Sequence, residues 1–395
     1  VEQRIAVRKN PEQFLLGSGV KEELNIFSRA DFALVDSFLE KNCGSHIFFI
    51  LSYELGMQFL EVDPDPAKKR SELPLAKFWT AKSVYSPAEL LEGTKNESFE
   101  DWFQHLNTPT TNFPQQWNWS FLNTKESYLE DVAEIQRNMQ LGNCYELNYC
   151  QKIEANGALK IEGLELFKHL NEVTKAPHSA YFENKELILA SGSPERFIQK
   201  TGNKLSSQPI KGTAPRGKTP EEDEQQKKKL LASFKDKTEN VMIVDLVRND
   251  CSKIASKGSV KVEEFSALHT FETVHQLIST ISCDVKENTS FSEILHALFP
   301  MGSMTGAPKR TVVQLTEKIE RAARNWYSGS IGVIEPNGDF DCNVLIRTLF
   351  YDKKNESISC MVGGAITHLS NPEEEWEECK TKVGKIIDRF GTCTW

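Results

Sequence analysis

From Ser127 onwards, segments with the two-residue period of strands alternate with segments of helical period, so the chain has to fold as a mixture of sheets and helices. Ser127 and Glu130 match a capping box, apolar residues recur at Leu129, Val132, Ile135 and Met139, and Gly142 marks the stop. Strand patterning follows at Cys144 to Ala155, Ser179 to Glu183 and Glu186 to Ala190, with a helical stretch through Leu164, Phe167 and Leu170 between the first two. Thr219-Pro220 opens a helix with Glu221 to Glu224 at its positive end. The same helix is expected to run on into Val241 to Val247, whose apolar character places its later turns inside. Ser290 and Glu293 cap a helix that Pro300 stops. Glu335 to Gly338 is a turn between strands Ser330 to Ile334 and Phe340 to Tyr351, and Ser357 to Ile366 is a further strand. The closing helix starts at Asn371-Pro372, with Trp376, Val383, Ile387 and Phe390 on its inner face.

Residues 1–120 are less legible. Turn-forming residues gather between Thr108 and Asn123, and the expected division is an N-terminal variable part, 1–120, and a second part, 121–395. The net charge of −9 is spread along all 395 residues, which argues against nucleic acid as a partner. Apolar runs such as Ile47 to Leu51 fall far short of the roughly 18 residues a membrane helix needs, and no signal peptide opens the chain, so a cytoplasmic protein is expected. Nine cysteines contain no CxxC pair, which suggests neither a zinc site nor a disulfide framework.

Four constellations can carry chemistry. The small-residue loop Gly302-Ser303-Met304-Thr305-Gly306-Ala307-Pro308-Lys309 feeds a helix and offers an anion free N–H groups, yet it fails the Walker A spacing, which leaves a small carboxylate as its ligand and an ordinary turn as the plain reading. Asp236 and Glu239 on one helix, and Glu375 and Glu378 on another, are each spaced i, i+3. Such a doublet is ordinarily a solvated face, but Glu239 precedes a buried run and Glu378 shares a helix with Trp376. An oxygen-only ligand set of this kind favours Mg²⁺. Lys211 sits between Ile210 and Gly212 at the apparent end of a strand; beside a divalent cation in a dry cleft its ammonium would be disfavoured and its amine could act as a nucleophile. Sixteen positions earlier lies Glu195, expected to face the same cleft. Arg347 interrupts an apolar strand, Val344 to Phe350, and requires an anion, either a ligand carboxylate or an internal partner.

Ser193 to Phe197, Glu239 to Asp250, Met301 to Lys309, Ile346 to Leu349 and the helix from Asn371 to Lys382, taken in that order, resemble the chorismate-utilising enzymes, a family that includes anthranilate, isochorismate and salicylate synthases. The likeness covers roughly residues 125–392, and the lysine of Pro209-Ile210-Lys211-Gly212-Thr213 resembles the branch that aminates chorismate, since anthranilate synthases usually carry alanine there. It implies an α+β fold of two interleaved units with large antiparallel sheets and flanking helices around a central cleft. It also implies Mg²⁺ held directly by Glu239 and Glu378, with Asp236 and Glu375 acting through water. Chorismate would be positioned by Gly302, Ser303, Thr305, Gly306, Lys309 and Arg347, together with Thr213, His275, Gly363, Gly364 and Lys382. Lys211 would attack the ring with Glu195 as general acid, and ammonia would displace the lysine to leave 4-amino-4-deoxychorismate, a precursor of p-aminobenzoate and folate. Gly142 to Glu146 lacks the second glycine of a GxCxG glutaminase motif, so ammonia would come from a separate glutaminase subunit, a component II. One departure is Gln276, where many relatives carry histidine, directly after His275. The rival readings are an anthranilate-forming enzyme, a water-using isochorismate or salicylate synthase and, more remotely, a non-catalytic anion-binding scaffold.

Overall fold

The computed structural model describes residues 2–10, 13–86 and 113–394. Two large sheets dominate it. The first has eleven strands and runs Gly391–Thr394, Trp117–Phe121, Glu146–Asn156, Ser357–Thr367, Thr348–Asp352, Leu187–Ser191, Ala180–Glu183, Arg4–Asn10, Gln13–Ser18, Ser83–Tyr85, with Gly306–Ala307 added beside Glu146–Asn156. The second has ten and runs Ile210–Pro215, Val274–Asp284, Lys204–Gln208, Arg196–Thr201, Phe340–Asn343, Ser330–Ile334, Ile47–Leu51, Ala76–Thr80, Glu22–Ile26, with Lys261–Thr270 added beside Val274–Asp284. All pairings are antiparallel except that of Gly391–Thr394 with Trp117–Phe121. The chain crosses between the sheets several times, and strands from before residue 120 enter both. Among the described residues no helix is long and apolar enough to cross a membrane.

Local chemistry accounts for most elements. Asn371 caps the helix Pro372–Phe390 by accepting from the N–H groups of Glu373 and Glu374. Ser290 and Glu293 form the expected capping box of Phe291–Leu298. In four places the structure departs from the sequence reading, the last of them at Trp117–Phe121. Thr124, not Ser127, caps the helix Lys125–Gln140: its side chain accepts from the Ser127 N–H, one turn earlier than the Ser127–Glu130 pattern suggests. The helix opened by Pro220 ends at Ala232; Ser233, in extended conformation, accepts from Asp236 N–H and starts a second helix, Phe234–Ser252. The apolar run Val344 to Phe350 is not one strand. Phe340–Asn343 belongs to the second sheet and Thr348–Asp352 to the first, and the connection between them passes through Arg347, whose φ is +50°. A stretch buried on both flanks has the same apolar composition whether it continues in one sheet or changes sheets.

The expected loop Thr108 to Asn123 lies partly outside the described residues, and its later part is the strand Trp117–Phe121. There Trp117 and Trp119 are buried while Asn118 and Ser120 are exposed, an alternation of period two masked by the polar composition. The two largest cores lie against the sheets, and a third, with Ile5, Phe48, Trp79 and Phe182, is built from strands of both. Of the two largest, one gathers Trp117, Tyr128, Tyr149, Phe167 and Trp376 beneath the helices of the first sheet, the other Phe49, Phe78, Val247, Phe291 and Phe299 against the second. The helices Phe234–Ser252 and Pro372–Phe390, which carry the two acidic doublets, pack one on each sheet.

Candidate active site

Lys211 stands on strand Ile210–Pro215 of the second sheet, and Glu146 begins strand Glu146–Asn156 of the first. Both are buried, and Lys211 Nζ donates to Glu146 Oε1 at 2.6 Å. Burial by itself would depress the ammonium, but the carboxylates of Glu146, Glu239 and Glu195 outweigh it, and among protein groups alone Lys211 is held above its ordinary value. These protein groups favour the cation, and the neutral amine expected beside a divalent ion would depend on that ion's charge. Glu146 is not singled out by the sequence: Cys144 to Ala155 also carries Asn148, Gln151, Lys152 and Glu154, so one more carboxylate there breaks no pattern.

Glu195 precedes strand Arg196–Thr201, and its backbone is pinned from both sides. Its N–H donates to Ser193 Oγ at 3.3 Å and its carbonyl accepts from Val344 N–H at 3.0 Å. Its buried carboxyl is pushed up to about 7 by burial, against the opposing pull of Ser303, Lys211, the Ile210 N–H and Arg347. Such a group exchanges protons near neutrality, as a general acid must. Arg347 is half-buried on the crossover between sheets, with Gly192 N–H donating to its carbonyl at 3.0 Å. Burial lowers its guanidinium, Glu195 partly offsets that, and among the described residues it has no ion-pair or hydrogen-bond partner of its own. A half-desolvated guanidinium in this state suits an incoming carboxylate.

The two acidic doublets do converge. Lys235 Nζ lies 2.6 Å from Glu375 Oε1, 3.3 Å from Glu378 Oε2 and 3.9 Å from Glu239 Oε1. Glu239 is pushed up to about 7, by burial first. Glu378 is held down at about 2, mainly by Lys382, whose Nζ is 2.7 Å from its Oε1, and then by Lys235. Lys382 also donates to the Gly363 carbonyl at 2.9 Å. Two buried carboxylate oxygens, Glu239 Oε1 and Glu375 Oε2, accept no hydrogen bond. Unpaired, hard oxygen donors on two helices are what a Mg²⁺ ion requires. As the side chains stand, however, no three acidic, histidine or cysteine groups among the described residues form a metal-ligating array; an ammonium is at their focus instead. Asp236 packs on Gly212, where an added Cβ would lie 3.0 Å from its Cγ, and Gly212 has φ +96°, a conformation that favours glycine. Gly364 lines the same side: a Cβ there would sit 3.5 Å from both Glu375 Oε2 and Lys382 Nζ.

The small-residue loop closes the cleft. Gly306 has φ +137°, and a Cβ there would come within 2.0 Å of the Glu146 carbonyl, so only glycine lets the loop pair with the strand that presents Glu146. Gly302 packs on Ile243 and Leu246. Thr305 Oγ1 donates to the carbonyl of Met301 or Gly302, and its own carbonyl accepts from Asn148 N–H at 2.8 Å. Lys309 is turned onto Asp250 and the Leu298 carbonyl. His275 is fully buried, with Nε2 2.9 Å from Asp223 Oδ1 and Nδ1 3.0 Å from Thr270 Oγ1, so neither ring nitrogen is free. Gln276, beside it, reaches Thr213 Oγ1 at 3.5 Å and leaves its Oε1 unpaired.

An acid near neutrality, a lysine among carboxylates, an arginine whose guanidinium is unpaired among the described residues, and two facing acidic doublets are gathered where the two large sheets meet. The chain belongs to the chorismate binding enzyme family, which matches residues 2–388. It is similar to aminodeoxychorismate synthase component 1 of Escherichia coli (strain K12), 38% identical over 283 residues, or 72% of this chain and 62% of that protein. The counterpart from Salmonella typhimurium is 36% identical over 351 residues, covering 86% of this chain and 75% of that one. The α+β fold is shared with the crystal structure of anthranilate synthase component I from Streptococcus pneumoniae, with a TM-score of 0.78, 18% identity and coverage of 95% of this chain and 92% of that one.

Proposed function

We propose that the protein is an aminodeoxychorismate synthase component I, which converts chorismate and ammonia to 4-amino-4-deoxychorismate. The observation that carries this reading is Lys211, a buried lysine beside Glu195, whose own carboxyl is poised at about 7. In this reading Arg347 and the Gly302 to Gly306 loop receive a substrate carboxylate, and Glu195 approaches the ring in its protonated form. Lys211 reacts as the free amine, its ammonium proton having gone to solvent; the amine forms a C–N bond to the ring, and the ring hydroxyl leaves as water with the proton of Glu195. Ammonia then displaces Lys211 and becomes the 4-amino group. Glu239, Glu375 and Glu378, with Asp236 at their margin, would hold Mg²⁺, whose charge would neutralise the ring carboxylate. Lys309 and His275, committed to Asp250 and Asp223, would act through the elements they brace; Thr213, Gly363, Gly364 and Lys382 would line the cleft. Ammonia is supplied, in this reading, by a separate glutaminase subunit, in keeping with the component 1 naming of the relatives.

Incubation with chorismate, Mg²⁺ and ammonium, followed by mass-resolved chromatography, tests the proposal. It expects aminodeoxychorismate with no pyruvate released. Anthranilate with stoichiometric pyruvate would assign the anthranilate-forming reaction instead, and a product formed equally well without ammonium would assign isochorismate or salicylate synthesis.

A further inference from the structure

The carboxylates assigned to the metal already hold a cation of the chain's own. Lys235 lies in the first turn of helix Phe234–Ser252, just after the Ser233 cap, where the helix dipole disfavours positive charge. Its place is set instead by Glu375 and Glu378 from the closing helix and Glu239 one turn on, all within 4 Å of its Nζ. Its side chain retains 37% of its exposure, so it can leave towards solvent without passing through the core. Glu239 and Glu375, in contrast, are fixed by burial. We propose that Lys235 is a tethered counter-cation that occupies the metal site and has to be displaced before a divalent ion can bind, which weakens metal binding while keeping the two helices together without it.

The physical basis is charge bookkeeping at one point. Three carboxylates brought together from two helices repel one another strongly unless a cation stands between them. One ammonium cannot satisfy them all, and Glu239 Oε1 and Glu375 Oε2 accept no hydrogen bond even with Lys235 in place. A divalent ion brings twice the charge and more coordination positions, but it gains only the difference between its own binding and the lysine's. Charge-assisted hydrogen bonds of this kind contribute roughly 1.5–3 kcal/mol, so removing the ammonium is expected to tighten divalent-ion affinity roughly ten- to hundredfold.

The inference rests on the Mg²⁺ reading above, and calorimetric titration of chelator-treated protein with MgCl2 separates the two. Wild type should bind one Mg²⁺, and Lys235→Met should bind it at least about tenfold more tightly while melting at a lower temperature before metal is added. Equal or weaker binding by Lys235→Met would overturn the displacement, even where wild type binds. Absence of binding by wild type and variant alike would remove the metal reading and the displacement with it. A measurement on unmodified protein stands if the variant does not fold: acetic anhydride labelling of Lys235, read by peptide mass spectrometry, should rise several-fold on Mg²⁺ saturation while that of Lys353, paired with Glu183, stays constant. Unchanged labelling of Lys235 at saturating Mg²⁺ would contradict the proposal.

Discussion

Lys211 and Glu146, on strands of different sheets, meet as a buried ion pair of 2.6 Å, and the pair ties the two halves of the cleft together at the reacting amine. Glu146→Gln removes a main support of the ammonium. The rise of activity with pH, which follows the free amine, is expected to move to lower pH by about one unit or more. A lysine whose folded value is raised lends stability that is fully present below its unfolded value of about 10.4 and is lost as pH rises through the folded value. The variant is therefore expected to lose about 3 kcal/mol near neutrality, with the deficit closing only in strong alkali. Urea unfolding and a pH–rate profile check both, and superimposable profiles would show that Glu146 does not control the amine.

Glu195 is pushed up to about 7 by burial, so its protonated form, the one a general acid needs, declines as pH rises through neutrality. Because Lys211 must at the same time be neutral and its own value lies higher, kcat for wild type is expected to rise with pH and to level off in a flat limb from about pH 7. In Glu195→Gln that limb should vanish and kcat should fall by about 10²–10⁴. Because burial disfavours its charged form, Glu195 also makes the folded protein lose stability between about pH 4.5 and 7, and the Gln variant should be the more stable one above neutrality. A wild-type limb that persists in Glu195→Gln belongs to another group.

Much of this site is legible because its residues break local patterns. Arg347 in an apolar stretch, Lys211 between Ile210 and Gly212, and acidic pairs at i, i+3 beside buried runs each violate an expectation for surface charge; the structure sets Arg347 and Lys211 within electrostatic reach of Glu195, and Glu239, Glu375 and Glu378 around Lys235. Glu146 breaks no such pattern, since Asn148, Gln151, Lys152 and Glu154 stand in the same strand. Lys235 is harder to see: four residues before Glu239, it reads as an ordinary helix ion pair, and only the arrival of Glu375 and Glu378 from a segment 140 residues away reveals its position. The change of sheet at Val344 to Arg347 is invisible for a different reason. Period and composition report burial, and Val344, Leu345 and Thr348 are fully buried on either side of the change of sheet. The helix break at Ser233 was similarly hidden, since a lone serine is tolerated within helices and only its extended backbone makes it a cap.

The Arg347 guanidinium has no hydrogen-bond or ion-pair partner among the described residues, so its removal should affect substrate binding more than folding. Arg347→Ala is expected to raise KM for chorismate roughly ten- to hundredfold, the loss of a charge-assisted pair, with a melting temperature near wild type. Arg347→Lys should recover little, because a point charge does not replace a planar two-point contact. Steady-state kinetics with a thermal melt check this; an unaltered KM would remove Arg347 from the substrate site.

Gly306→Ala places a methyl against the Glu146 carbonyl at a backbone conformation that side chains rarely adopt. The strain is expected to cost about 1–3 kcal/mol from the backbone alone, and shifting Glu146 away from Lys211 should move the rise of activity to lower pH, as in Glu146→Gln. Gly338→Ala, at φ +83° with open space around it, supplies the comparison: a similar backbone penalty with an unshifted pH profile.

Intact-protein mass spectrometry during turnover addresses the central claim, that Lys211 is the nucleophile. With chorismate and Mg²⁺ and limiting ammonium, the wild-type chain should gain the mass of chorismate less one water, mapped by peptide analysis to Lys211 and discharged when ammonium is added. Lys211→Ala should show no such increment and no amination. An unmodified wild-type chain together with a Lys211→Ala variant that aminates chorismate at the wild-type rate would contradict the account.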